Sequence, residues 1–151
     1  MAAFPATPID TTQALTRWGG LYGSVERFVL DTNSKTWQEI PPAVLEWHHD
    51  AIDALSPAAF SQLLPAFLSA LLGGEAISQL PRWLADSLTP RAGDQRFDLR
   101  VEQLTAEQRH VVAMVFASVN TERARNDVPQ LDFLENALAA YWRRRGANVE
   151  E

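Results

Sequence analysis

Apolar positions recur three and four apart through most of this chain, the spacing of one buried face of an α-helix. Asp10 or Thr11 is placed to cap a short helix through Trp18, which Gly19-Gly20 ends. A second apolar piece, Val25 to Leu30, runs into turn residues from Asp31 to Thr36. The signals sharpen from Trp37. Pro41-Pro42 suits a first helical turn, and Val44, Trp47, His48, Ala51 and Leu55 share one stripe behind it. Ser56 followed by Pro57 reads as an N-cap and first helical position. The next helix carries Phe60, Leu63, Leu64, Phe67, Leu68, Leu71 and Leu72, with Gly73-Gly74 as its stop. Pro65 lies inside this pattern and predicts a kink or a break there, because its ring clashes with the preceding turn.

Pro81 opens a shorter helix bearing Trp83, Leu84 and Leu88, closed by Thr89-Pro90. Phe97, Leu99 and Val101 alternate with polar residues, which predicts a short extended segment near residues 96–101. Thr105 and Gln108 form a capping box ahead of Val111, Val112, Val115, Phe116 and Val119. A last helix is expected from about Pro129 to Arg145, with Leu131, Leu134, Leu138, Tyr141 and Trp142 inward and Gly146 at its end. The pattern predicts an all-α fold: one domain of about six helices over residues 11–146, a loose arm at 1–10 and a tail at 147–151. Its core is expected around Trp47, Phe60, Leu64, Phe67, Val112, Phe116, Leu138 and Trp142.

Composition narrows the chemistry. With no cysteine, the chain has no disulfide, thiolate metal site or cysteine nucleophile. Its net charge of −6 argues against a phosphate-backbone partner and suits a basic protein. The apolar run "LLPAFLSALL" is too short to span a membrane, and the N-terminus lacks the pattern of a secretory leader. A cytoplasmic setting is the expectation. Only Lys35 among the 13 basic residues is lysine, which excludes a Ser-x-x-Lys nucleophile, and no G-x-S-x-G or phosphate-binding glycine loop is present.

The stretch "LEWHHDAID" raises the question of a metal site. Glu46 with His49 and Glu107 with His110 are two Glu-x-x-His pairs, and Glu26 and Glu75 fall in the chain order of a di-iron bundle. Such ligands must point into the core. At 100° per residue, Glu107 lies roughly 110° and His110 roughly 170° from the centre of their helix's apolar stripe, and Glu46 and His49 also fall off theirs. His49 and Asp53, at i,i+4, lack an evident third ligand. No metal and no cofactor are expected. His48 alone lies in an apolar stripe, where it reads as a partly buried, hydrogen-bonded ring. On the same wheel Glu46, Asp50 and Asp53 cluster, joined by Glu39 if the helix begins before the prolines. That reads as a solvated face or a docking stripe for a basic partner.

"TWQEI", "LSPAAFSQLLPAFLSALL", "LTAEQRHVVAMVF" and "LENALAAYW" together resemble a family of small uncharacterised bacterial proteins. The matching residues are Trp37, Phe60, Leu64, Pro65, Ala66, Phe67, Leu68, Leu104, Thr105, Gln108, Phe116 and Trp142. They span Trp37 to Trp142 and are nearly all apolar, proline or caps, a pattern that suits a scaffold better than a catalytic site. The resemblance implies no established activity. Small size, acidity and the missing catalytic constellation point to a non-enzymatic binding protein. The expected type is an immunity- or antitoxin-like protein that occludes a basic effector, with Glu39, Glu46, Asp50 and Asp53 at the contact. The alternative is a small hydrolase or ligand-binding domain using His48 with Glu39 or Asp50.

Overall fold

The computed structural model describes residues 3–9, 22–73 and 79–142. The helix expected from Asp10 or Thr11 to Trp18, the arginine-rich turn at 143–145 and the tail lie outside them. The fold is all-α, with no β-strand among the described residues. Helix α1 (Tyr22–Thr32) leads through a 3₁₀ turn (Trp37–Glu39) to α2 (Pro42–Trp47), and a 3₁₀ segment (His49–Ala54) follows. Then come α3 (Pro57–Leu72), α4 (Leu80–Ser87), α5 (Arg96–Glu102), α6 (Ala106–Arg125) and α7 (Asp132–Ala137), which passes into a π-helical turn (Leu138–Trp142).

α3 is the central element. Ten of its 16 residues are buried, among them Phe60, Leu63, Leu64, Phe67, Leu68 and Leu71. It packs against α2, α4, α5 and α6. Ser56 caps it as its position suggested, the hydroxyl accepting from the Ala59 amide at 3.2 Å. Pro65 does not end it: the helix is continuous from Pro57 to Leu72. An interior proline costs about 3 kcal/mol, and burying a single Leu or Phe returns about 1.5–3 kcal/mol. Six such side chains on this helix outweigh the missing donor.

The extended segment expected at 96–101 is helix α5 instead. Phe97 and Val101, read as alternating, also stand four apart, and both are buried. Arg100 shares their inner face at 3% exposure. The arm is not loose where it is described. Phe4 and Ile9 are buried, Ile9 exchanges backbone hydrogen bonds with Lys35 and Ser34, and the Gln108 side chain donates to the Ala3 carbonyl. Gln108 also completes the capping box of α6 with Thr105.

Of the eight expected core residues, Trp47 is the exception, standing 79% exposed. The wheel assumed one α-helix from Val44 to Leu55, but α2 ends at Trp47 and the chain tightens into 3₁₀. Within α2 the buried anchor is Leu45. Two steps of 100° carry Trp47 to the opposite side, and a third brings His48 back inward.

Candidate functional site

Two places gather chemistry: the face around Trp47, and a cleft between α4 and α5.

The acids of the first do not form one stripe. Glu39 is exposed and closes a capping box, its carboxylate accepting from the Thr36 amide at 2.7 Å and hydroxyl at 2.9 Å. Those bonds hold its pKa below the usual carboxylate value. Glu46 is half-buried and accepts from the Gln79 amide at 3.3 Å, tying α2 to the start of α4. Asp50 is half-buried in the 3₁₀ segment, three residues beyond Trp47. Asp53 lines the cleft.

The histidines occupy different environments. His48 is 2% exposed, its ring edge-on to Phe28. Its Nε2 lies 3.1 Å from Asp31 Oδ2, so the carboxylate it meets is on α1 and is neither Glu39 nor Asp50. That hydrogen bond is the main reason the Asp31 pKa is lowered. His48 does not line the cleft. His49 donates from Nδ1 to the Glu46 carbonyl at 2.9 Å and leans on Trp83, with ring centroids 5.7 Å apart. Glu26 and Glu107 are exposed, and Glu75 lies outside the described residues. Among the described residues no three potential metal ligands come together.

The cleft has a volume of about 420 Å³. Four arginines and three aspartates line it, on a chain of net charge −6. An Arg91–Ala92–Gly93–Asp94 turn shapes one wall. Asp94 N–H donates to the Arg91 carbonyl at 3.1 Å, and Gly93 adopts φ +80°, which only glycine takes readily. The Asp94 carboxylate accepts from the Arg96 backbone amide at 2.9 Å and grips its guanidinium, with Nη2 2.7 Å from Oδ2. Arg91 pairs with Asp86 at 3.2 Å.

Arg100 forms the floor. Its Nη2 donates to the Ile52 carbonyl at 2.7 Å, Nη1 to the Ser87 carbonyl at a long 3.4 Å, and the guanidinium carbon lies 4.6 Å from the Phe60 ring centre. No carboxylate of the described residues forms a salt bridge with it. Burial lowers its pKa to about 10, with nearby Asp53 opposing the shift, so it stays charged at neutral pH. Sequence reasoning missed this residue. The available signal was Arg96 and Arg100 four apart on one helix face, downstream of Arg82 and Arg91.

The Arg96 fork holds the Asp94 carboxyl at about 2, against 3.8 for an unperturbed aspartate. A depressed acid stabilises the fold fully above the unfolded value and loses that contribution as pH falls toward the folded one. Asp94→Asn should therefore reduce the acid-side loss of stability between about pH 4 and 2. The difference, screened by solvent, is on the order of 1 kcal/mol. Urea unfolding of both chains at pH 7 and pH 3 measures it, and parallel losses would rule the fork out as a stabiliser.

The family model described as a family of unknown function, DUF6714, matches residues 13–146. The chain belongs to that family. The match extends past the motif-bearing region, Trp37 to Trp142, to residues 13–36 and 143–146. Comparison with curated proteins and with solved structures gave no match.

Proposed function

We propose that this protein is a non-enzymatic protein-binding module that docks a basic partner on the face around Trp47. The carrying observation is Trp47 itself, 79% exposed on a short helix while Phe60, Phe67 and Phe116 are fully buried. Tryptophan is the side chain most enriched among binding hot spots, because its large rigid surface loses little entropy on contact. Asp50 follows it at i+3, on a chain of net charge −6, which gives the face a sign complementary to a basic protein. The finer reading is an immunity- or antitoxin-like protein that occludes a basic effector in a bacterial cytoplasm. Small size and acidity support it. The hydrolase alternative draws no support from His48, which is buried against Asp31 and Phe28 away from the cleft.

The test uses a pull-down with the wild type, then kinetics of the retained partner on the wild type and on Trp47→Ala. Trp47→Ala should change folding stability by less than about 0.5 kcal/mol, as exposed positions do, and weaken binding by about 2 kcal/mol or more. Asp50→Lys should act mainly by slowing association, and wild-type association should slow with added salt. Asp53 is left unchanged in this test, since it faces the arginines of the cleft. A partner bound equally well by Trp47→Ala, with salt-independent association, would refute the reading.

A further inference from the structure

The cleft between α4 and α5 carries a charge imbalance that the side chains of the described residues do not resolve. Arg91 and Arg96 are each matched to a carboxylate, Asp86 and Asp94. Arg82 and Arg100 are not, and Asp53 is the one lining carboxylate left to face them. Arg100 is the unusual member. A guanidinium at 3% exposure, with two carbonyl acceptors and no carboxylate of the described residues in contact, is a desolvated cation short of its counter-charge. It has five N–H donors and spends two on carbonyls. Arg82 is on the exposed side of α4, and its side chain makes no hydrogen bond or salt bridge among the described residues. Trp83, half-buried, adds an aromatic wall to the same cleft. A volume of about 420 Å³ is in the range of sites that enclose small organic ligands.

We propose that this cleft binds a small ring-bearing oxyanion, its phosphate or carboxylate group taken by Arg100 and Arg82 and its ring laid against Trp83. Guanidinium forks match both kinds of oxyanion with paired N–H donors. The anion replaces the counter-charge that Arg100 lacks. Asp53 opposes the ligand and keeps the affinity modest. Trp47 itself does not line the cleft, so Trp47→Ala leaves it intact, and either reading can fail without the other.

Phenyl phosphate, benzoate and inorganic phosphate are titrated into the full chain at fixed ionic strength, with the thermal midpoint and tryptophan fluorescence as readouts. Comparison of the first two separates phosphate from carboxylate, and the third isolates the ring's contribution. At least one ring-bearing probe should raise the midpoint in a saturable way, more than inorganic phosphate does. Arg82→Ala, a surface change that leaves the ligand-free midpoint unaltered, should weaken binding about tenfold or more, while Asp53→Asn should tighten it. The opposite signs cannot arise from a general loss of stability. No midpoint shift with any probe at about 10 mM, or binding that Arg82→Ala leaves unchanged, would overturn the proposal.

Discussion

Replacing Trp142 by alanine is expected to cost about 4 kcal/mol, the largest loss of any substitution discussed. The indole is 1% exposed and packs edge-on against Tyr141 and Phe97, with ring centroids 5.0 and 6.4 Å away. Its Nε1 donates to the Leu88 carbonyl at 2.8 Å, a bond that ties the last described turn to the end of α4. Truncation therefore leaves a large cavity and an unsatisfied buried carbonyl, terms of about 3–5 and 1–3 kcal/mol that overlap because the site relaxes. Trp142→Phe keeps most of the packing and isolates the hydrogen bond, with an expected cost of about 2 kcal/mol. Urea unfolding of both variants checks the pair. An alanine variant within about 1 kcal/mol of wild type would mean that this turn adds little to the fold.

Arg100→Ala should cost about 3 kcal/mol, unusually much for a charged residue. Arg100 joins the 3₁₀ segment through Ile52, α4 through Ser87 and α3 through the Phe60 ring. Alanine removes the stem and the stacking and leaves the Ile52 carbonyl with only the long 3.4 Å bond from the Leu55 amide. Arg100→Met separates these effects. It restores apolar volume and removes a buried charge whose desolvation is costly, so it should recover about half the loss. If methionine proved as damaging as alanine, the hydrogen bonds would be the main contribution. If alanine cost under about 1 kcal/mol, Arg100 would be a spectator of the packing.

The legible parts of the fold were those written in local spacing. Phe60, Leu64 and Phe67 lie on one continuous stripe, and all are buried. The Thr105–Gln108 box and the Ser56 cap each act within three residues, so their signals survive without tertiary information. Trp47 was misread because its direction depends on where α-helix gives way to 3₁₀, a change of some 20° per residue that composition does not mark. Phe97 and Val101 fit a strand and a helix equally well, since positions four apart share a face in both. The candidate site was less legible still. The acids of residues 46–53 were visible as charge, yet Glu46 turns to Gln79 and Asp53 to the cleft, through contacts set by distant chain. Arg100 reaches Ile52 across 48 positions, a relation no periodicity contains.

The π-helical turn at Leu138–Trp142 has a consequence for how the chain tolerates change in length. A π turn holds one residue more than the α turn it replaces. Ala139 and Ala140 occupy it with exposed side chains, between the buried Leu138 and Trp142. Loss of one of these alanines shortens the loop of backbone without requiring Leu138 or Trp142 to leave its place, because an ordinary α turn spans the same gap. Elsewhere in the helices a deletion rotates everything beyond it by about 100° and carries the buried stripe to solvent. At this turn the spare residue acts as slack in the register, and the helix shortens there with the least disturbance to the packing on either side.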